Sequence, residues 1–132
     1  MKNIKQQLII SRRDYEIIMA WIKRRLGKTT FNREEARELE TEIKRATLVS
    51  KEELPADTVR LNSMVTIKEE KEKKELRVTV VTPEKADIRQ RKISVMSPVG
   101  AALIGFRKGQ KVSWKVPAGK KVFTILDVAN NF

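Results

Sequence analysis

The apolar positions of this chain change their period part-way along it. From Tyr15 they recur at three- and four-residue steps, through Ile18, Met19, Ile22 and Leu26. That spacing marks one face of an α-helix. Ser11 stands ahead of it as an N-cap, with Asp14 three residues on in a capping-box-like position and Gly27 where a helix would end. After a short loop, KTTF, Asn32 offers a second cap, and Glu34 and Glu35 fill a first turn, where the helix dipole favours acids. Ala36, Leu39, Ile43 and Ala46 then repeat by three, four and three, the step of a coiled-coil seam. Two helices, a tight loop and facing stripes predict an antiparallel helical hairpin over residues 1–50. With roughly 16 residues in each helix it would be about 24 Å long.

Beyond the polar stretch SKEELPAD, where Pro55 forbids helix continuation, the period drops to two. A short strand is expected at residues 64–67, followed by the charged turn EEKEKKE. In the next strand Leu76, Val78 and Val80 alternate with Arg77, Thr79 and Val81, a half-buried pattern. Ile93 and Val95 open another. Val112, Trp114 and Val116 alternate with Ser113 and Lys115, and PAGKK turns the chain into a last strand, VFTILDV. Hairpin links predict a mostly antiparallel sheet, so residues 51–132 read as an α+β unit dominated by that sheet. One run interrupts it: residues 93–106 carry no charge in a chain that is 35% charged. Ser97 suits a cap, Pro98 a first helical position and Gly105 a stop. Val99, Ala101, Ala102, Leu103 and Ile104 are apolar on every side, which predicts two turns of buried helix across the concave face of the sheet.

Composition narrows the chemistry. The 132 residues suit one domain, or one with a small appendage. Cysteine and histidine are both absent, which removes thiolate chemistry, the commonest general base and the commonest metal ligand. No catalytic residue, cofactor or metal is expected. The uncharged run falls short of the ~20 apolar residues of a membrane helix, and the charged opening MKNIKQQLII is unlike a secretory signal. A cytoplasmic chain without membrane contact is the expectation. The net charge is +12, and residues 85–126 hold ten Lys or Arg against Asp87 alone. Such a surface attracts phosphate backbones or acidic proteins.

ISVMSPVGAALIGFRKGQ followed by VSWKVPAG resembles the C-terminal domain of the Gre transcript-cleavage factors, and the Rnk branch of that family more closely still. The shared pattern is Ser94-Val95, Ser97-Pro98, Leu103-Ile104-Gly105, then Pro117-Ala118-Gly119 in a hairpin. LPADTVRLNSMVTI is similar to the family's entry into its first strand, so the likeness runs in order through residues 54–128. The resemblance implies an FKBP-like fold for residues 51–132, a curved antiparallel sheet around a short helix, behind a short coiled-coil hairpin. It implies docking on RNA polymerase at the rim of the secondary channel, with the hairpin reaching inward. In the cleavage factors, acidic residues at the hairpin tip help to hold a catalytic magnesium. The tip here, Lys28, Thr29 and Thr30 between Gly27 and Phe31, has no carboxylate, and the hairpin is short. The expectation is a monomeric, non-catalytic, polymerase-binding regulator of transcription elongation. Its contact residues would be Ser97, Pro98, Val99, Gly100, Ala101, Ile104, Gly105, Arg107 and Lys108.

A free-standing basic nucleic-acid-binding module is the alternative; Arg12, Arg13, Lys23, Arg24 and Arg25 of the first helix read as a solvated basic face that could make weak contact with nucleic acid or lie against the channel wall. It predicts steep salt dependence, but aromatic residues at 5% leave few stacking platforms for single strands. Prolyl isomerisation is suggested by the fold name alone, and the same shortage leaves no aromatic-lined cleft for it.

Overall fold

The computed structural model describes residues 8–26, 33–116 and 119–130. The elements in chain order are β1 (Ile9–Ser11), α1 (Arg12–Leu26), α2 (Arg33–Lys44), β2 (Thr47–Val49), β3 (Met64–Glu69), β4 (Glu75–Val81), β5 (Lys92–Ser94), α3 (Pro98–Leu103), β6 (Lys111–Val116) and β7 (Gly119–Ala129).

The helical stripes meet as their spacing requires. Ile18, Ile22 and Ile43 are fully buried, with Met19, Ala36 and Leu39 beside them. Within the described residues the two helices run for 15 and 12 residues. Ser11 caps α1, its Oγ accepting from the Asp14 amide at 3.1 Å. The reciprocal half of a capping box is not formed. The Asp14 carboxylate instead accepts from the amide of Leu61, 3.0 Å away in the sheet-bearing part of the chain. At the root of the hairpin β1 and β2 pair in parallel, Ile9 opposite Thr47 and Ser11 opposite Val49. No sequence pattern announced these two short strands.

The large sheet has the order β5-β4-β3-β7-β6. It is mixed rather than purely antiparallel, because β5 runs parallel to β4. A parallel neighbour cannot be reached by a tight hairpin. The chain accordingly makes an excursion through single-turn helices at Pro83–Lys85 and Ile88–Gln90 before Arg91, at φ 57°, turns it into β5. The strands also outrun their patterns: β3 extends to Glu69 and β7 is 11 residues long, with a bulge in their pairing at Thr66/Ile67. Leu76 is 43% exposed while Val81 is buried, the reverse of the simple alternation. Leu76 lies near the free end of β4, whereas Val81 lines a recess with Glu84 and Lys85 of the excursion.

Helix α3 touches β5 and β6, the two outermost strands. In a flat sheet of five strands those edges would stand about 19 Å apart, wider than the ~10 Å of a helix. The sheet therefore curls around α3. The enclosure is one-sided: Gly100, Leu103 and Ile104 are buried, Val99, Ala101 and Ala102 are half-buried, and Pro98 is exposed. This corrects the expectation of a helix buried all round. A single sheet covers one flank of a six-residue helix and leaves the other open.

The core is one cluster. It runs from Leu8, Ile10 and the hairpin stripes through Val59 and Leu61 to Val65, Ile67, Val80 and Ile125.

Candidate functional site

The segment from Ser94 to Lys108 is built around two serines and two glycines. Ser94 ends β5, and its carbonyl accepts from both the amide (2.9 Å) and the hydroxyl (2.6 Å) of Ser97. The Ser94 hydroxyl accepts from the Met96 amide, and Ser97 Oγ accepts from the Gly100 amide at 3.2 Å. Ser97 is extended at φ −77°, ψ 160°, which leads Pro98 into the first helical position. Gly100 allows the close approach that follows. A Cβ there would stand 2.1 Å from the Ser94 carbonyl oxygen, so no larger residue lets α3 sit on the end of β5.

Gly105, at φ +85°, ends the helix in a conformation that favours glycine. Its amide donates to the carbonyl of Val59 and its carbonyl accepts from Ile9. A Cβ at this position would press on Leu8 and Ile10 at 3.2 Å. One glycine thus joins α3, β1 and the segment leading into β3.

The predicted contact residues therefore divide in two. Ser97, Pro98, Val99 and Ala101 reach the surface together at the start of α3. Gly100, Ile104 and Gly105 are buried and lie beneath that surface. Arg107 and Lys108 are exposed but paired. Arg107 Nε lies 2.8 Å from Asp57 Oδ1, and Lys108 Nζ lies 3.5 Å from Asp127 Oδ1. Lys111 pairs with Glu70 at 3.0 Å in the same way. The one-signed charge of residues 85–126 is thus partly balanced by acids from elsewhere in the chain. Exposed pairs of this kind hold by only ~0–1 kcal/mol, so they can be exchanged for a partner's carboxylates.

The predicted hairpin tip, Lys28, Thr29 and Thr30, lies outside the described residues, as do Pro117 and Ala118. On α1, Arg12, Arg13, Lys23 and Arg24 are exposed, and the Arg24 guanidinium stacks 4.6 Å over the half-buried Trp21 ring. Trp114 is half-buried and stacks on Phe123 with ring centroids 4.2 Å apart, as its alternation suggested. Among the described residues, no three His, Cys, Asp or Glu side chains are grouped to hold a metal ion, and no helix is long and apolar enough to cross a membrane.

Sequence reasoning missed a clamp beneath this surface. The Asn130 amide nitrogen donates to the carbonyls of Ala56 (2.9 Å) and Thr58 (3.0 Å), and its oxygen accepts from the Ser63 hydroxyl. Ser63 Oγ in turn accepts from the Arg60 amide at 2.7 Å. This ties the segment carrying Asp57, and so the partner of Arg107, to the end of β7. An asparagine just past a strand carries no pattern that would announce it.

Residues 54–130 match the family described as transcription elongation factor GreA/GreB, C-terminal. This chain belongs to the GreA/GreB family. The resemblance carried by the Ser-Pro and Leu-Ile-Gly steps is thereby established. Over 91 residues the chain is 43% identical to the Escherichia coli K12 protein named regulator of nucleoside diphosphate kinase, which takes in 68% of this chain and 65% of that one. It is 38% identical to GreA of Pelobacter propionicus over 91 residues, 69% of this chain and 58% of that factor. The matched stretch thus spans less than two thirds of the length of these relatives.

Among solved structures, GreA/GreB from Nitrosomonas europaea superimposes with a TM-score of 0.74 at 30% identity, covering 94% of this chain and 98% of that one. The likeness in shape to this GreA/GreB structure therefore includes the helical hairpin as well as the sheet. Gfh1 of Thermus aquaticus shares the fold with a TM-score of 0.53 at 24% identity, over 95% of this chain and 99% of that one.

Proposed function

We propose that this GreA/GreB-family chain is a regulator of transcription elongation that binds RNA polymerase and does not cleave the transcript. One observation carries the reading: a chain whose likeness to a GreA/GreB structure covers 94% of its length has, between its two helices, a stretch from Gly27 to Phe31 free of carboxylates. Such a tip has no anionic oxygens to offer a magnesium ion. In this reading residues 1–50 act as a coiled-coil hairpin directed into the secondary channel, and residues 51–132 act as an FKBP-like domain on its rim. Ser97, Pro98, Val99 and Ala101 supply an apolar contact, flanked by Arg107 and Lys108, whose exposed ion pairs can open to acidic residues of the polymerase. The protein acts as a monomer in the cytoplasm.

Titration of the fluorescently labelled chain with purified core RNA polymerase tests the reading. Saturable binding is expected, weakened by Pro98→Asp on the exposed start of α3. Absence of binding at moderate salt overturns it. A stalled elongation complex with magnesium tests the remainder: strong stimulation of transcript cleavage would show the tip to be competent after all.

A further inference from the structure

Strand β4 is paired on both sides over only part of its length. Against β3 it is paired from Glu75 to Thr79, but β5 joins it only from Thr79 to Val81. The Thr79 amide donates to the carbonyl of Arg91, so it points away from β3. Backbone groups alternate in direction along a strand. The N–H and C=O of Arg77 and Glu75 therefore point to the same side, where no strand stands among the described residues. Arg91 turns the chain into line beside β4 only at Lys92, which leaves the space before Thr79 open. A cleft of about 400 Å³ lies at this edge, its lining including Met64, Glu75, Leu76, Arg77, Gln90 and Arg91.

The side chains bordering the edge differ on its two faces. Leu76 has the parity of the core residues Val78 and Val80, yet it is 43% exposed. Arg77 has the parity of Thr79, which stands opposite Met64, itself 43% exposed. Glu75 stands opposite Lys68, which balances it across the strand pair. Arg77 stands opposite the uncharged Thr66. Among the described residues Arg77, Arg89 and Arg91 have no carboxylate at ion-pair distance, whereas Arg107, Lys108 and Lys111 each have one. Ile88, 86% exposed, stands on the same excursion as Arg89 and Arg91.

We propose that the open edge of β4 at Glu75 and Arg77 docks an extended, acidic segment of a partner protein, which adds to the sheet as a further strand. Main-chain bonds to Arg77 and Glu75 would give the affinity, and alternate side chains the selectivity. A strand laid here presents every second residue to the Leu76 side and the others to the Arg77 and Arg91 side. The matching segment alternates apolar and acidic residues. This surface includes nothing from α3 or the turn at Arg107, so the inference is independent of the polymerase reading.

The test uses the full chain and an acetylated, amidated nonapeptide of alternating glutamate and valine, with a lysine–valine peptide as control. Amide NMR at up to about 1 mM peptide should show shifts centred on Glu75, Leu76 and Arg77, together with slowed hydrogen exchange at the Arg77 amide. Arg77→Pro removes the outward N–H at a position where an edge strand tolerates proline. Because it also removes the guanidinium, it should weaken binding by more than the about fivefold effect of one hydrogen bond. Arg77→Glu keeps the strand and its N–H but reverses the charge, and it should weaken binding while leaving the fold intact. Shifts centred elsewhere, equal binding of the lysine peptide, or no binding overturn the proposal. So does concentration-dependent protection of the Arg77 amide without peptide, which would make a second copy of the chain the occupant.

Discussion

The carboxylate of Asp14 accepts a hydrogen bond from the amide of Leu61 at 3.0 Å, across 47 residues of sequence. Asp14 lies in the first turn of α1, and Leu61 lies on the way into β3. Both are buried, so the bond joins the helical hairpin to the sheet where water cannot replace it. Asp14→Ala would strand a buried amide and should destabilise the fold by about 1–3 kcal/mol. Urea denaturation at neutral pH measures this, and Asp14→Asn, which keeps an acceptor, should lose much less.

The same residue sets a pH dependence. Burial holds the Asp14 carboxyl above its ordinary value of 3.8, against the opposing pulls of the Leu61 amide, Arg60 and Arg13. Because the folded pKa is the higher, the native state binds the proton more firmly between the two values. The associated stability is present below the ordinary value and is lost as pH rises through the folded one. Asp14→Asn has no such titration. Its stability relative to the parent chain should therefore increase as pH rises from about 3.8 through that window and then level off, as read from urea midpoints across the range.

Gly100→Ala should reverse the usual sign of its substitution. In an ordinary helix interior alanine is favoured over glycine by about 1 kcal/mol. Here the new Cβ would meet the Ser94 oxygen at 2.1 Å, so α3 must lift from β5. Overpacking of this kind costs ~1–3 kcal/mol, enough to outweigh the helix preference. A lowered melting temperature is expected, with weakened binding wherever the α3 surface is read.

Asn130→Ala removes the donor shared by the Ala56 and Thr58 carbonyls and the acceptor of the Ser63 hydroxyl. A loss of about 1–3 kcal/mol is expected. Faster hydrogen exchange should be confined to the segment from Ala56 to Ser63. Asn130→Asp should be worse at neutral pH, since a carboxylate oxygen would replace the donor against two carbonyls. Part of that loss should return in acid.

Glu70 should titrate below its ordinary value of 4.5, because Lys111 and Thr124 both hydrogen-bond its charged form. With the folded pKa the lower, its contribution is present above the ordinary value and fades as pH falls through the folded one. Carboxyl NMR should show the depressed value, and Lys111→Met should move it back towards 4.5.

Much of the fold was legible because its rules are local. The stripes of α1 and α2, the Ser11 and Ser97 caps and the alternation of Val78 with Thr79 each depend on neighbours within four residues. The Ser97 cap, Pro98 and the Gly105 stop were readable for the same reason, since they lie close together in sequence, whereas the close approach of Gly100 to the Ser94 carbonyl was not. The pairing of β1 with β2, the parallel entry of β5 and the bulge between β3 and β7 were not readable, because each depends on which distant segment arrives alongside.

The sequence by itself determined the periods, the turns, the family signature and the lack of carboxylates between Gly27 and Phe31. Only the tertiary structure decided which candidate residues face outward. It buried Ile104 and Gly105, gave Arg107 and Lys108 their acids, and left Arg77 on an open edge. It also turned Asp14 from a capping-box candidate beside Ser11 into a tie between two parts of the chain. The physical reason is that a backbone conformation responds to adjacent residues, whereas burial, ion pairing and edge exposure are properties of surfaces brought together across the whole chain.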